Sequence, residues 1–152
     1  MRIAYQGTEG AYSEEALLKT FPEATPVGYP TFHQVFSAVE KGEVELGVVP
    51  VENTTAGSIN QTYDLLLESD LHVVGEIIHR VEHCLLAPPG LELKEIRFVK
   101  SHPQALAQCD GFLARLGLTP IPVYDTAGAA RELAEKREPS IGAIASRRAG
   151  SL

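Results

Sequence analysis

Ile96-Arg97-Phe98-Val99-Lys100-Ser101-His102-Pro103-Gln104-Ala105-Leu106-Ala107-Gln108-Cys109-Asp110-Gly111-Phe112-Leu113-Ala114-Arg115-Leu116 is the stretch whose reading decides the fold. Ile96–Lys100 is a short apolar run of strand length. Pro103–Leu116 then carries Leu106, Cys109, Phe112, Leu113 and Leu116 at the spacing of one helical face. Ser101 and His102 lie between the two, and a proline suits the first turn of a helix, where its missing N–H has no partner to lose. A strand, a polar turn at its carboxyl end and a helix make the repeating unit of an α/β fold.

The same unit recurs outward in both directions. Strands are predicted over Ile3–Gln6, Pro26–Tyr29, Leu46–Val51, Leu71–Ile78, Val81–Ala87, Ile96–Lys100, Pro120–Tyr124 and Ser140–Ala145. Helices are predicted over Ser13–Phe21, Thr31–Lys41, Ile59–Ser69, Pro103–Leu116 and Thr126–Lys136. In the second of these, Phe32, Val35, Phe36 and Val39 recur with helical spacing. Strand followed by helix, repeated, predicts an α/β fold with mainly parallel sheets and crossover helices.

The alternation breaks once. Leu71–Leu86 reads as extended chain without a helix, and Pro88-Pro89-Gly90 then supplies a turn. A long extended segment between two αβ clusters suits a crossing between lobes. The expected organisation is lobe one over 1–78 and lobe two over 79–152, with a cleft between them. The chain stops at Gly150-Ser151-Leu152, just after a strand and at the start of another helix, as a fragment would.

Composition narrows the functional classes. In 152 residues, 44% hydrophobic and 22% charged content with 13 glycines and 10 prolines is globular, which excludes disordered, collagen-like and disulfide-stapled scaffolds. A net charge of −7 argues against general affinity for nucleic acid or anionic membranes, so neither is an expected partner. No apolar run approaches the roughly 18–20 residues of a membrane helix. Met1-Arg2-Ile3-Ala4-Tyr5 enters a strand at once, with no signal peptide, and the expected localisation is cytoplasmic. Cys84 and Cys109 lie in unrelated contexts and read as reduced, packed thiols.

Three predicted helix starts share a polar cap and small residues: Pro50–Ser58, Ser101–Gln104 and Asp125–Gly128. Each follows the carboxyl end of a strand, where open α/β sheets place ligands. A helix N-terminus carries unpaired N–H groups and about half a positive charge, and so favours carboxylate or phosphate. Ser101, Asp125 and Thr126 also have the ordinary reading of N-caps. The loop at 52–58 is longer than a βα turn requires.

Gly7-Thr8-Glu9-Gly10-Ala11-Tyr12-Ser13 lacks the full spacing of a dinucleotide fingerprint and reads instead as a small-residue loop that contributes Ser13. His33 and His72 read as solvated. His79 and His83, four apart in a predicted strand, would lie about 13 Å apart, too far to share one metal. No metal site is expected. His102 is either a cap packed on its turn or a residue that binds an anion or shuttles a proton.

Taken in order and spacing, these segments resemble the prephenate dehydratase family. The carrying residues are Gly7–Ser13, Phe36–Gly42, Gly47–Thr54 with Gly57-Ser58, His83-Cys84-Leu85-Leu86, Ser101–Leu106 and Ala143-Ile144-Ala145-Ser146. The resemblance implies a two-lobed fold similar to type 2 periplasmic binding proteins. It also implies a lyase without a cofactor that converts prephenate to phenylpyruvate, within a homo-oligomer (dimer or tetramer). By the same resemblance Asn53 and Gln104 are catalytic, and Ser13, Thr54, Gly57, Ser58, Ser101, His102 and Thr126 contact substrate. The family's key hydroxyl belongs to a Thr-Arg-Phe motif that these 152 residues do not contain. Its regulatory ACT domain is also absent, so the chain is expected to be part of a longer protein. Two alternatives stand beside this reading: arogenate as the substrate, or a module that binds a small anion and performs no chemistry.

Overall fold

The computed structural model describes residues 1–152 throughout. The chain forms two compact units, Met1–Arg80 and Val81–Leu152.

In the first unit, β1 (Arg2–Gln6), α1 (Tyr12–Thr20), β2 (Thr25–Tyr29), α2 (Phe32–Glu40) and β3 (Leu46–Val48) follow one another, then a hairpin of β4 (Glu52–Asn53) and β5 (Gly57–Ser58), then α3 (Asn60–Glu68). The sheet has the order β2-β1-β3 and is parallel throughout, with Ile3 opposite both Pro26 and Leu46. Successive side chains of a strand face opposite sides. Ala4 therefore packs with Val35, Ala38 and Val44 on one face, while Ile3 and Tyr5 pack with Leu17 on the other. With both faces covered, β1 reads as a continuous apolar run rather than an alternating one. At the start of α2, Thr31 and Gln34 satisfy each other's backbone N–H in a reciprocal cap.

The second unit begins with β6 (Cys84–Leu86) and a short 3-10 turn at Leu93–Glu95. It continues through β7 (Phe98–Ser101), α4 (Pro103–Gln108), α5 (Asp110–Arg115), β8 (Thr119–Pro122), α6 (Thr126–Lys136), β9 (Ile141–Ala145) and α7 (Arg147–Ser151). Its sheet has the order β6-β9-β7-β8, with β7, β8 and β9 parallel and β6 antiparallel to β9. Val99 and Ile144 pack with Ala105, Leu106 and Leu113, whereas Ala143 packs with Ala129 and Leu133 of α6. Pro120 and Pro122 sit in β8 because it is an edge strand, where a missing N–H costs no ladder bond.

Four predicted elements differ. No strand forms over 71–83, and the second predicted run shrinks to β6. Val73, Val74 and Ile78 are 72%, 80% and 92% exposed, so apolar composition alone found neither a ladder partner nor a core to face. The predicted Pro103–Leu116 helix is two helices that meet at Cys109, whose backbone (φ −102, ψ 5) leaves the helical region. Asp110-Gly111 follows at once, and glycine in a helix interior costs about 1 kcal/mol relative to alanine. β3 stops at Val48 rather than Val51, two residues before Pro50, which has no N–H to continue a ladder.

Candidate active site

In each unit the parallel strands bring the residues of interest to one edge of a sheet. β1 and β3 run side by side in the same direction. The loops that leave their carboxyl ends, 7–11 and 49–58, therefore lie at the same edge. Ser13 is the second residue of α1, beyond the first loop, and is half-buried. The first loop is shaped from inside. Glu14, 2% exposed, accepts from the Gly10 amide through Oε2 at 2.8 Å, while Gly7 N–H donates to the Tyr29 carbonyl at 2.9 Å.

The second loop is not the open helix entry that the sequence predicts. Glu52 pairs with Ser58 and Asn53 with Gly57 in an antiparallel hairpin, and Gly57 takes φ +81, a conformation open to glycine at little steric cost. Thr54, Gly57 and Ser58 are exposed on it, and Asn53 is half-buried. Inside the turn, Asn53 Oδ1 accepts from Thr55 N (2.9 Å), Thr55 Oγ1 (2.7 Å) and Ala56 N (3.3 Å). At the hairpin base, Ile59 N–H donates to the Val51 carbonyl at 2.9 Å. The fully buried Thr62 hydroxyl donates to the Pro50 carbonyl at 2.8 Å. Neither Thr55 nor Thr62 figures among the sequence candidates, although Asn-x-Thr at 53–55 is a spacing in which an Asn side chain bonds the backbone two residues on.

In the second unit the carboxyl ends of β7, β8 and β9 share an edge. Ser101, the last residue of β7, has no exposure, and its hydroxyl donates to the Ile144 carbonyl at 2.7 Å. The hydroxyl that the sequence offers to a ligand is thus spent inside the sheet. His102 caps α4: its Nδ1 accepts from Gln104 N at 3.1 Å. A backbone N–H only donates, so the capping imidazole carries no proton on Nδ1 and its Nε2 is the donor. The Gln104 side chain is exposed, one residue inside α4 from Pro103.

Thr126 opens α6 and is half-buried. The cap there is Asp125, whose Oδ1 accepts from Gly128 N at 2.6 Å. This helix start already holds a carboxylate, which corrects its reading as an open anion site: a second anion would meet like charge. The start of α1 has no side-chain cap but carries Glu14 and Glu15 in its first turn, which opposes an anion as well. Carboxylates thus already stand at the starts of α1 and α6, whereas α3 opens with no side-chain cap and no acidic residue in its first turn.

The antiparallel β6 adds a residue at the same edge. Cys84 pairs with Ala145, the last residue of β9, so the preceding His83 stands where the parallel strands end. His83 Nε2 lies 2.5 Å from Gln108 Oε1. His79 is not on a shared strand face with it; its Nε2 lies 4.0 Å from a Glu15 carboxylate oxygen in the first unit. His33 and His72 are exposed. Cys84 and Cys109 are free and half-buried, and burial pushes the Cys109 thiol above its ordinary pKa.

Comparison with known proteins bears on the same residues. A family described as prephenate dehydratase matches residues 3–152. The Arabidopsis thaliana protein named arogenate dehydratase/prephenate dehydratase 2, chloroplastic, is 47% identical over 152 residues, 100% of this chain and 40% of its own length. Among solved structures, one described as a novel type of quorum quenching acylase aligns with a TM-score of 0.93 and 41% identity, over 99% of this chain and 55% of its own. A prephenate dehydratase from Arthrobacter aurescens, solved in complex with L-Phe, aligns with a TM-score of 0.90 and 26% identity, over 99% of this chain and 52% of its own. The fold class is therefore the expected one, α/β with mainly parallel sheets and of the type 2 periplasmic-binding-protein kind. This chain spans about two fifths of the length of the curated relative. The cytoplasmic expectation is overturned by the relatives named as chloroplastic.

Proposed function

The chain belongs to the prephenate dehydratase family, and on that premise we propose that it is the larger part of the catalytic domain of a lyase that converts prephenate to phenylpyruvate. What carries the reading is the family match over residues 3–152, which takes in each of the sheet-edge loops described above. Prephenate is a dianion with two carboxylates and a ring hydroxyl. As the ring carboxylate departs as carbon dioxide, its bonding electron pair enters the ring and expels the hydroxyl, which leaves as water once protonated. Aromatisation of the ring drives both losses, so no electron-storing cofactor is required.

The protein's task is to hold the carboxylates, to strip water from the departing one and to aid the departing hydroxyl. The side-chain amides of Asn53 and Gln104 are the proposed catalytic groups, as hydrogen-bond donors to charge that shifts during the reaction. Ser13, Thr54, Gly57, Ser58, His102 and Thr126 are proposed to contact substrate, with the His102 Nε2–H as a further donor. Ser101 keeps its place in this proposal through its backbone, since its hydroxyl is committed to Ile144. A dimer or tetramer belongs to the same proposal and is read by light scattering.

Arogenate is the second reading, favoured by the relative that carries both substrate names. It differs by an amino group in place of a keto oxygen, and a competition assay between the two substrates separates them. The test of the proposal is phenylpyruvate formation by the complete gene product, with Asn53→Ala and Gln104→Ala beside it. Turnover is expected to fall in both variants with little change in stability. Full activity in both would remove these residues from the site, and binding without turnover by the wild type would favour the non-catalytic module.

A further inference from the structure

We propose that Thr55 is a positioning residue that holds the Asn53 side chain as a hydrogen-bond donor. The inference rests on the proposed role of Asn53 and specifies which end of its amide faces the substrate. Three donors converge on Asn53 Oδ1: the Thr55 amide at 2.9 Å, the Thr55 hydroxyl at 2.7 Å and the Ala56 amide at 3.3 Å. Two of these are backbone N–H groups, which cannot accept. The side-chain atom that meets them must be the oxygen, since an NH2 group there would set donor against donor. The Nδ2 group, with its two N–H bonds, is thereby turned away from the turn.

The chemistry follows from that orientation. An outward NH2 is suited to a carboxylate or to a departing hydroxyl, both of which accept; an outward carbonyl oxygen would repel the first. The Thr55 hydroxyl supplies the shortest of the three contacts and approaches from a side chain rather than from the backbone. It therefore restrains rotation of the Asn53 amide in a way that the two amides of the turn alone do not. Gly57 closes the hairpin at φ +81, a left-handed backbone conformation that glycine adopts without strain.

The test compares Thr55→Val, Thr55→Ser and Asn53→Asp in the complete gene product. Thr55→Val keeps the β-branch and both backbone contacts but removes the hydroxyl. It is expected to lower kcat roughly tenfold with KM and the melting midpoint little changed, the scale of one hydrogen bond. Thr55→Ser restores the hydroxyl and is expected to stay within about twofold of wild type. Asn53→Asp preserves every contact within the turn yet presents an anionic acceptor outward, and is expected to abolish turnover in a protein that melts no lower than wild type. A second readout does not depend on activity: the Asn53 side-chain NH2 resonances, resolved as a distinct pair in wild type, are expected to shift and broaden in Thr55→Val and to recover in Thr55→Ser. Wild-type turnover of neither substrate would refute the proposed function, while the resonances would still judge Thr55. Unchanged resonances, or an unchanged kcat in an active protein, would overturn the positioning role.

Discussion

The Ser101 hydroxyl lies 2.7 Å from the Ile144 carbonyl oxygen, sealed from solvent, and joins β7 to β9 at the edge where the candidate site residues gather. The backbone pairing of the two strands runs from Phe98 opposite Ile141 to Lys100 opposite Ala143. Ser101 therefore extends the ladder by one more step, with a side chain in place of an amide. Ser101→Ala is expected to lower unfolding stability by about 1–3 kcal/mol, the cost of withdrawing a partner from a buried polar group. Urea midpoints measure it. A loss below a few tenths of a kcal/mol would mean that the hydroxyl is not part of what holds the strands.

Glu14 does the equivalent work in the first unit. Its buried carboxylate accepts the Gly10 amide and so shapes the loop that precedes Ser13. Glu14→Ala should cost about 1–3 kcal/mol by leaving that amide buried without its acceptor. Glu14→Gln retains an acceptor oxygen and should recover a large part of the loss. Equal destabilisation by both variants, measured by thermal melts, would assign the effect to the charge and not to the hydrogen bond.

A glycine-to-alanine change within a helix ordinarily stabilises, by up to about 1 kcal/mol. Gly128 in α6 departs from this: a Cβ there would lie 2.6 Å from Asp125 Oδ2, the carboxylate that caps the helix. Gly128→Ala should force the cap aside and cost about 0.5–2 kcal/mol. In an Asp125→Ala background the same substitution should become neutral or stabilising. Additive losses in the double variant would show that the clash is not with the cap.

Glu132 accepts from Lys136 and from Lys100, and these bonds hold its carboxyl below the usual range. A carboxyl whose folded pKa is depressed contributes stability above its unfolded value, about 4.3 for glutamate, and loses it as pH falls through the folded value. The wild type should therefore lose stability relative to Glu132→Gln as pH drops below that range, and the two curves should run parallel above it. Because the pair is at the surface, added salt should shrink the difference. Curves that run parallel throughout the acid range would remove the ion pair from the stability of α6.

Much of the frame was legible in the sequence because its signals are local. Helical spacing in Phe32–Val39, the Asp125 cap and the turn after each strand all lie within a few residues of one another, and the α6 bounds agree with the pattern. Exposure was not legible in Val73, Val74 and Ile78: apolar, extended residues look the same whether or not a partner strand is present. The break at Cys109 is not legible because the apolar stripe runs unbroken across it.

By itself, then, the sequence determined the α/β alternation, the family and the segments after each strand in which Asn53, Gln104 and His102 lie. Only the tertiary structure decided the partners that lie far apart in the chain. It spent the Ser101 hydroxyl on a strand 43 residues away and set His83 against Gln108 across 25 residues. Periodicity and capping are properties of neighbouring residues, whereas a hydrogen-bond partner is chosen by strand order and by what burial leaves within reach.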